Sequence, residues 1–491
     1  MTLLPRGRCG AEHYQAEHVR TEQASRSTAS PWASTCSTAA LSEGTPMQRT
    51  PAVRLALFLG AALSCLCLCV AVGLSAAAPA TAASPKWVEA WSGIRGVTLR
   101  AVALSPDGRV GLAVGDHGAV VQTTSGVGCW RYMSPPIDKR LMGVAFTGGD
   151  RFVAVGEGGT ILLYDGSSGW RSVDSPTTVN LMDVAFAADG QHGCAVGAAG
   201  VVVCTDNGGQ SWTRVDADVA SHADDLQGVA LVGNQGWMAG GMPWSTFRDQ
   251  GQELVIASTN DYGRQWSGSD GRFEANASFL PMDIDFADAQ HGWVVGTNGG
   301  SYATTDGGKE WKLYSALTGA PTLYAAAAVK SSGTCWAVGA GGVVARTSAG
   351  HWTPVTQTVT TADLYGLAFA GANVGVAVGA PLTAGGRTAM VAWDAAPPRV
   401  SATGGTLARR GRVVTLKVTA SAASFALHMR ASIVNSAGHA VLVWRSFNWR
   451  PGLVCPLKFR CRLVPGAYRW QVTVRDAAGY ARTLTRRLTV R

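Results

Sequence analysis

The chain has 491 residues, 47% hydrophobic and only 15% charged, with 61 Gly, 17 Trp, 20 Pro and a net charge of +9. This composition excludes a disordered chain and a coiled coil, and Gly without an every-third-residue period excludes collagen. Many Gly, many Trp and few charges fit short strands joined by tight turns, an all-β class, and the length allows about two to four domains.

The net charge hides a split. Residues 1–84 carry 6 Lys+Arg and 4 Asp+Glu, residues 85–398 carry 18 and 27, and residues 399–491 carry 17 and 1. A mildly acidic body joined to a strongly basic tail implies two modules, and only the tail has the field of something that meets an anionic surface.

Taken in chain order, every residue from Leu55 to Leu74 is apolar, Gly, Ser or Cys, with Arg49 and Arg54 ahead and the small residues Ala76 to Ser84 behind. That is the order of a secretory signal, and the apolar run is also long enough for an uncleaved anchor. Met47 stands just ahead of it, so residues 1–46 read as a misassigned start or a disordered stretch, and 47–84 as signal peptide or N-terminal membrane anchor. The remainder is expected to be exported, bacterial fashion, either secreted or held at the outer face of the cytoplasmic membrane.

Residues 85–395 contain seven copies of one unit. Each opens on an apolar strand: LRAVAL (99–104), LMGVAF (141–146), LMDVAF (181–186), LQGVAL (226–231), LPMDIDF (280–286), LYAAAAV (323–329) and LYGLAF (364–369). A second strand follows and ends in a turn glycine; Gly115, Gly156, Gly197, Gly240, Gly296, Gly339 and Gly379 lie 41, 41, 43, 56, 43 and 40 apart. A period near 41 with several strands per repeat predicts a seven-bladed β-propeller. The segment KWVEAWSG (Lys86 to Gly93) matches the fourth-strand segments of other copies, and the last copy stops after its third strand. The N-terminal strand is therefore expected to complete the last blade and remove two open sheet edges.

Between third and fourth strands run polar turns ending in Trp, clearest in TTDGGKEW (Thr304 to Trp311), TNDYGRQW (Thr259 to Trp266) and TDNGGQSW (Thr205 to Trp212). These resemble the Asp-box, or BNR repeat. Asp261 and Asp306 are expected to accept turn N–H groups, and Trp212, Trp266 and Trp311 to pack between sheets, all as structural residues. The long spacing comes from an insertion, Gly241 to Glu253, whose Trp244, Phe247, Arg248, Asp249 and Glu253 form a candidate ligand-contacting set.

The repeat order L-x-x-V-A-F, G-x-x-A-V-G-x-x-G, T-T-D-G-G-x-x-W resembles the photosystem II assembly factors of the Ycf48/HCF136 type and related bacterial BNR-like propellers. The resemblance implies a seven-bladed, exported, non-catalytic protein that binds a membrane-protein intermediate during assembly. The function expected is thus a binding or assembly scaffold, not an enzyme, whose propeller takes an envelope protein or a membrane-protein intermediate. The chain is expected to be a monomer with no cofactor and no metal.

The alternative is a carbohydrate-active secreted enzyme, sialidase-like or another glycoside hydrolase, with the tail as its surface-binding module. Sialidase chemistry needs an arginine cluster for the substrate carboxylate with a Tyr, Glu and Asp constellation, and other glycoside hydrolysis needs two carboxylates flanking the bond. Asp283 and Asp285, alternating on one first strand, are the best pair in the chain; their other reading is as hydrogen-bonded residues of a channel wall.

After a short linker, 396–398, the basic residues 399–491 alternate apolar and polar in about six strands and end on GAYRWQVTVRDAAGYAR, resembling an Ig-like β-sandwich. Arg450, Lys458, Arg460 and Arg462 are the expected contacts to an anionic cell-surface polymer or lipid headgroups; nucleic acid is a poor partner for an exported chain. Two disulfides are expected, Cys194 with Cys204 across a hairpin and Cys455 with Cys461 about a short loop. Cys129 and Cys335 fall in different repeats and are left unpaired.

Overall fold

The computed structural model describes residues 85–491 except 91, 125, 129, 135–136, 218–224, 242–253, 269–278, 315, 356–358, 396–397, 423–426, 450–453 and 477–479. The expectations for residues 1–84, for Cys129, for Trp244, Phe247, Arg248, Asp249 and Glu253, and for Arg450 lie outside the described residues. Among those described, no helix is long and apolar enough to cross a membrane. Ordered structure is strand, apart from single-turn 3-10 segments.

The apolar repeat segments form the inner strands of seven four-stranded antiparallel sheets: Leu99–Leu104, Leu141–Gly148, Leu181–Phe186, Asp225–Val232, Pro281–Phe286, Leu323–Val329 and Leu364–Phe369. Each inner strand contacts the inner strand of the next sheet, and the last contacts the first, so the β-propeller ring closes. In the last sheet Lys86–Glu89 pairs antiparallel with Thr388–Asp394, with Trp87 opposite Trp393. Glu89 also forms an ion pair with Arg387 at 2.7 Å.

Apolar side chains on both faces of each sheet fill seven clusters, one between each pair of neighbouring blades. Each fully buried Val, Leu or Phe contributes about 1.5–3 kcal/mol, so the ring is held by these contacts between blades. The turn glycine is demanded by backbone approach. A Cβ on Gly115 would fall on the Thr98 carbonyl oxygen, and the equivalent glycines meet the same obstacle. That carbonyl accepts the N–H of Asp116 at 3.0 Å, which ties the turn to the start of the inner strand.

The Asp-box turns carry the local bonds expected of them. Asp261 Oδ1 accepts the Gln265 N–H and the Thr259 hydroxyl, and Asp306 Oδ1 accepts the Lys309 and Glu310 N–H groups. In the third blade Asn207 takes the carboxylate's place and accepts from Gln210 and Ser211. Trp212, Trp266 and Trp311 are buried in the clusters between blades.

Cys194 and Cys204 are directly paired across the second and third strands of their blade and form a disulfide. The bridge lies under the Asp-box turn of the following blade, against the Tyr262 and Gly263 carbonyls. Closing this short loop is worth about 3 kcal/mol in the chain-entropy account. We therefore expect dithiothreitol, or the double change Cys194→Ser with Cys204→Ser, to lower the melting temperature by several degrees; an unchanged melting curve would show the bridge to be idle.

The tail has eight described strands where about six were expected. They form a three-stranded sheet, Arg399–Gly404, Val413–Ser421 and Val454–Arg460, and a five-stranded sheet ordered Leu407–Ala408, Ala481–Val490, Gly466–Arg475, Leu427–Val434, Ala440–Trp449. The sheets share one apolar core around Trp444, Phe459 and Trp470. Tyr480, in the connection before the last strand, packs on the propeller cluster between first and last blades.

The expected Cys455–Cys461 disulfide does not form; both are free, buried thiols. The segment read as a loop is a strand, and Cys455, Leu457, Phe459 and Cys461 alternate onto its core face. Six residues of strand separate the two sulfurs by about 20 Å, beyond any disulfide. The same alternation puts Lys458, Arg460 and Arg462 on the exposed face. Cys335 is buried and free.

Candidate functional site

Every one of the seven inner strands carries a bulge at the same place. Pairing with the second strand skips one residue, between Leu99 and Ala101, Leu141 and Gly143, Leu181 and Asp183, Leu226 and Gly228, Pro281 and Asp283, Leu323 and Ala325, and Leu364 and Gly366. A bulged residue is unpaired and its side chain is re-aimed. The seven so placed are Arg100, Met142, Met182, Gln227, Met282, Tyr324 and Tyr365, and all line one central cavity of about 320 Å³.

Arg100 is fixed by a two-point bond to Asp116, 2.6 and 3.1 Å, and lies 5.5 Å over the Tyr365 ring. Tyr365 packs against Tyr324 at 4.8 Å between centroids. Arg140 reaches the same Asp116 oxygen at 3.0 Å. Burial works to raise the Asp116 pKa, but the bonds and charges of Arg100 and Arg140 outweigh it and hold the carboxyl below its usual range. Two guanidiniums share the Asp116 carboxylate, and Asp363, whose Oδ2 accepts the Tyr365 hydroxyl at 3.3 Å, adds a second negative charge to this arc of the rim. The three methionines supply polarizable side chains that fit irregular apolar surfaces.

Below the rim lie three carboxylates. Asp283 Oδ1 accepts the N–H of Ile284 and its Oδ2 the N–H of Ala326 on the next blade, both 2.8 Å. Asp285 does likewise with Phe286 and Ala328, both 2.8 Å. Asp183 Oδ2 accepts from Val229 on the following blade at 3.0 Å. The channel-side edge of an inner strand has no strand partner, so its N–H groups need acceptors. These aspartates supply them and latch neighbouring blades. Glycine makes room: a Cβ on Gly228 would stand 2.9 Å from Asp283 Oδ1.

Burial pushes the Asp183 and Asp285 carboxyls up to about 6. Asp283 is pushed well above the usual range by burial and by the neighbouring Asp183 charge. Both oxygens of Asp283 and of Asp285 are engaged by backbone donors, so the pair is built as a latch and the channel-wall reading of them holds. Asp183 was missed by sequence reasoning, although LMDVAF shows it at the same repeat position as Asp283. The bulge ring was also missed, because a bulge leaves no trace in apolar periodicity. Among the described residues no group of three His, Cys, Asp or Glu could hold a metal ion.

The sequence profile described as "Photosynthesis system II assembly factor YCF48" matches residues 164–270 and 260–358. A photosystem II assembly lipoprotein Ycf48 from Synechococcus sp. (strain CC9902) is 27% identical over 147 residues, 30% of this chain and 40% of that protein. The chloroplastic photosystem II stability/assembly factor HCF136 of Oryza sativa subsp. japonica is 26% identical over 199 residues, 39% of this chain and 44% of that protein. The chain thus spans less than half the length of the curated relatives it matches. Among solved structures, YCF48 bound to D1 peptide covers 63% of this chain and 94% of its own, at 14% identity and a TM-score of 0.47. YCF48 from Cyanidioschyzon merolae covers 62% and 98%, at 18% identity and a TM-score of 0.47.

Proposed function

We propose that this Ycf48-like propeller is an exported, non-catalytic scaffold that holds an extended segment of a membrane-protein intermediate against the channel rim. The observation that carries this reading is the ring of seven bulged side chains, apolar, aromatic and cationic, around one cavity. Adaptable Met beside rigid Tyr and Arg anchors is the composition of a peptide-contacting surface. The channel carboxylates are occupied as latches, which speaks against turnover. Both curated relatives are named as photosystem II assembly proteins, which supports an assembly role.

The tail attaches the scaffold to an anionic envelope surface through the exposed row Lys458, Arg460 and Arg462. An Ig-like reading of the tail is supported by its two sheets and by the Tyr468 hydroxyl, which donates to the Val464 carbonyl at 3.1 Å at the start of its strand, as in a tyrosine corner.

A photo-crosslinking residue at Gln227 tests the rim in the organism's own membranes. A polypeptide adduct is expected. Arg100→Ala and Tyr365→Ala should each weaken binding of the captured polypeptide at least tenfold, about 1.4 kcal/mol or more, while Thr353→Ala on an outer strand leaves it unchanged. Glycan turnover abolished by Asp283→Ala in a folded protein would overturn the reading in favour of an enzyme.

A further inference from the structure

Arg469 and Arg487 stand directly opposite each other on adjacent antiparallel strands of the five-stranded sheet, and both are exposed. Like charges in that register repel and weaken the sheet. The tail's single acid, Asp476, is buried at the far end of the strand Gly466–Arg475. Seven residues of strand put it about 20 Å from Arg469. That far end is also where Tyr480 packs on the propeller, so the acidic propeller lies away from the arginine pair.

The two arginines flank a cleft of about 300 Å³ whose other walls include Asn435, Ser436 and Thr489. Asn435 Oδ1 accepts the His439 N–H at 2.9 Å, which leaves its amide NH2 as a donor. Ser436 and Thr489 add exposed hydroxyls. The cleft thus gathers donors and positive charge, and among the described residues neither arginine forms an ion pair with a carboxylate.

We propose that this cleft is a binding site for a phosphate-bearing group. Two guanidinium forks bind phosphate oxygens in bidentate fashion, and the amide and hydroxyls serve the remaining oxygens, more acceptors than a carboxylate offers. The size suits a phosphate with a small polyol attached. Lys458, Arg460 and Arg462 lie on the other sheet, so the site stands independently of the surface-attachment reading.

Titration calorimetry of the exported chain with inorganic phosphate and with glycerol phosphate tests it. One saturable site is expected, together with a rise in melting temperature on adding ligand. The double change Arg469→Gln with Arg487→Gln should weaken binding at least tenfold without unfolding the tail, since it also relieves repulsion. Arg399→Gln with Lys417→Gln, exposed basic residues of the other sheet, should leave the titration unchanged. Absence of saturation, or equal loss in both double variants, overturns the site, because general charge attraction would then account for everything. Phosphatidylglycerol vesicles separate the sources: retention weakened by free glycerol phosphate and by Arg469→Gln with Arg487→Gln assigns a lipid headgroup, and glycerol phosphate binding with vesicle retention unchanged by either assigns a soluble or polymer-borne phosphate. Either supports the site.

Discussion

Trp87→Ala is expected to destabilise the protein by about 3–5 kcal/mol, the cost of truncating a fully buried tryptophan. Trp87 sits on the closing strand and touches Trp336, Phe369 and Trp393, with centroids 5.6, 5.9 and 5.8 Å away. It thus binds the N-terminal strand to two blades at once. For a domain of this size the loss corresponds to a fall in melting temperature of roughly 10 °C. Removing residues through Glu89 altogether should do more, since it leaves the third strand of the last blade as an open edge, prone to pairing between molecules. Calorimetry with light scattering reads both effects. A melting temperature for Trp87→Ala within a degree or two of the parent would mean that the ring closes without this strand.

The second large effect is on the pH dependence. Asp183 and Asp285 have carboxyls raised from 3.8 to about 6 by burial. A group whose folded pKa is raised binds its proton more tightly in the fold, so its contribution to stability is complete below about pH 4 and lost as the pH rises through about 6. Two units correspond to an upper bound of about 3 kcal/mol per group, lowered by water in the open channel. The turn carboxylates act oppositely. Asp306, held low first by the Glu310 N–H, and Asp116, held low by two arginines, contribute above pH 3.8 and lose that contribution on acidification. Stability should therefore peak near pH 4–5 and decline toward pH 7. Denaturant unfolding at half-unit steps checks this. Asp285→Asn should flatten the decline, and Asp285→Ala should also cost roughly 1–3 kcal/mol for each backbone N–H left without its acceptor. Stability that rises steadily from pH 4 to pH 7 would exclude raised carboxyls in the channel.

Much of the fold was legible because it is written in local, repeated signals. The turn glycine recurs because backbone meets backbone there. The Asp-box recurs because one carboxylate satisfies a turn's own donors. KWVEAWSG was recognisable as a displaced fourth strand because the other copies showed what was missing. The Cys194–Cys204 bridge was legible for the same reason, since a hairpin places its two strands opposite each other. Cys455 and Cys461 misled because the segment between them was read as a short loop, although the alternation Cys455, Leu457, Phe459, Cys461 was already that of a strand.

The site was less legible, and the division has a physical basis. By itself the sequence determined the all-β class, the repeat and the charge split between body and tail, which are written in local pattern and composition. It also determined the closing strand, whose partner lies about 300 residues away but whose absence from the last copy the other copies revealed. Only the tertiary structure decided that Asp183, Asp283 and Asp285 latch one blade to the next, because their partners Val229, Ala326 and Ala328 lie on other repeats. It likewise decided that seven bulges gather Arg100, three methionines, Gln227 and two tyrosines around one cavity, and that Arg469 faces Arg487. Such contacts join residues far apart in sequence, and only the ring and the sheet register bring them within reach.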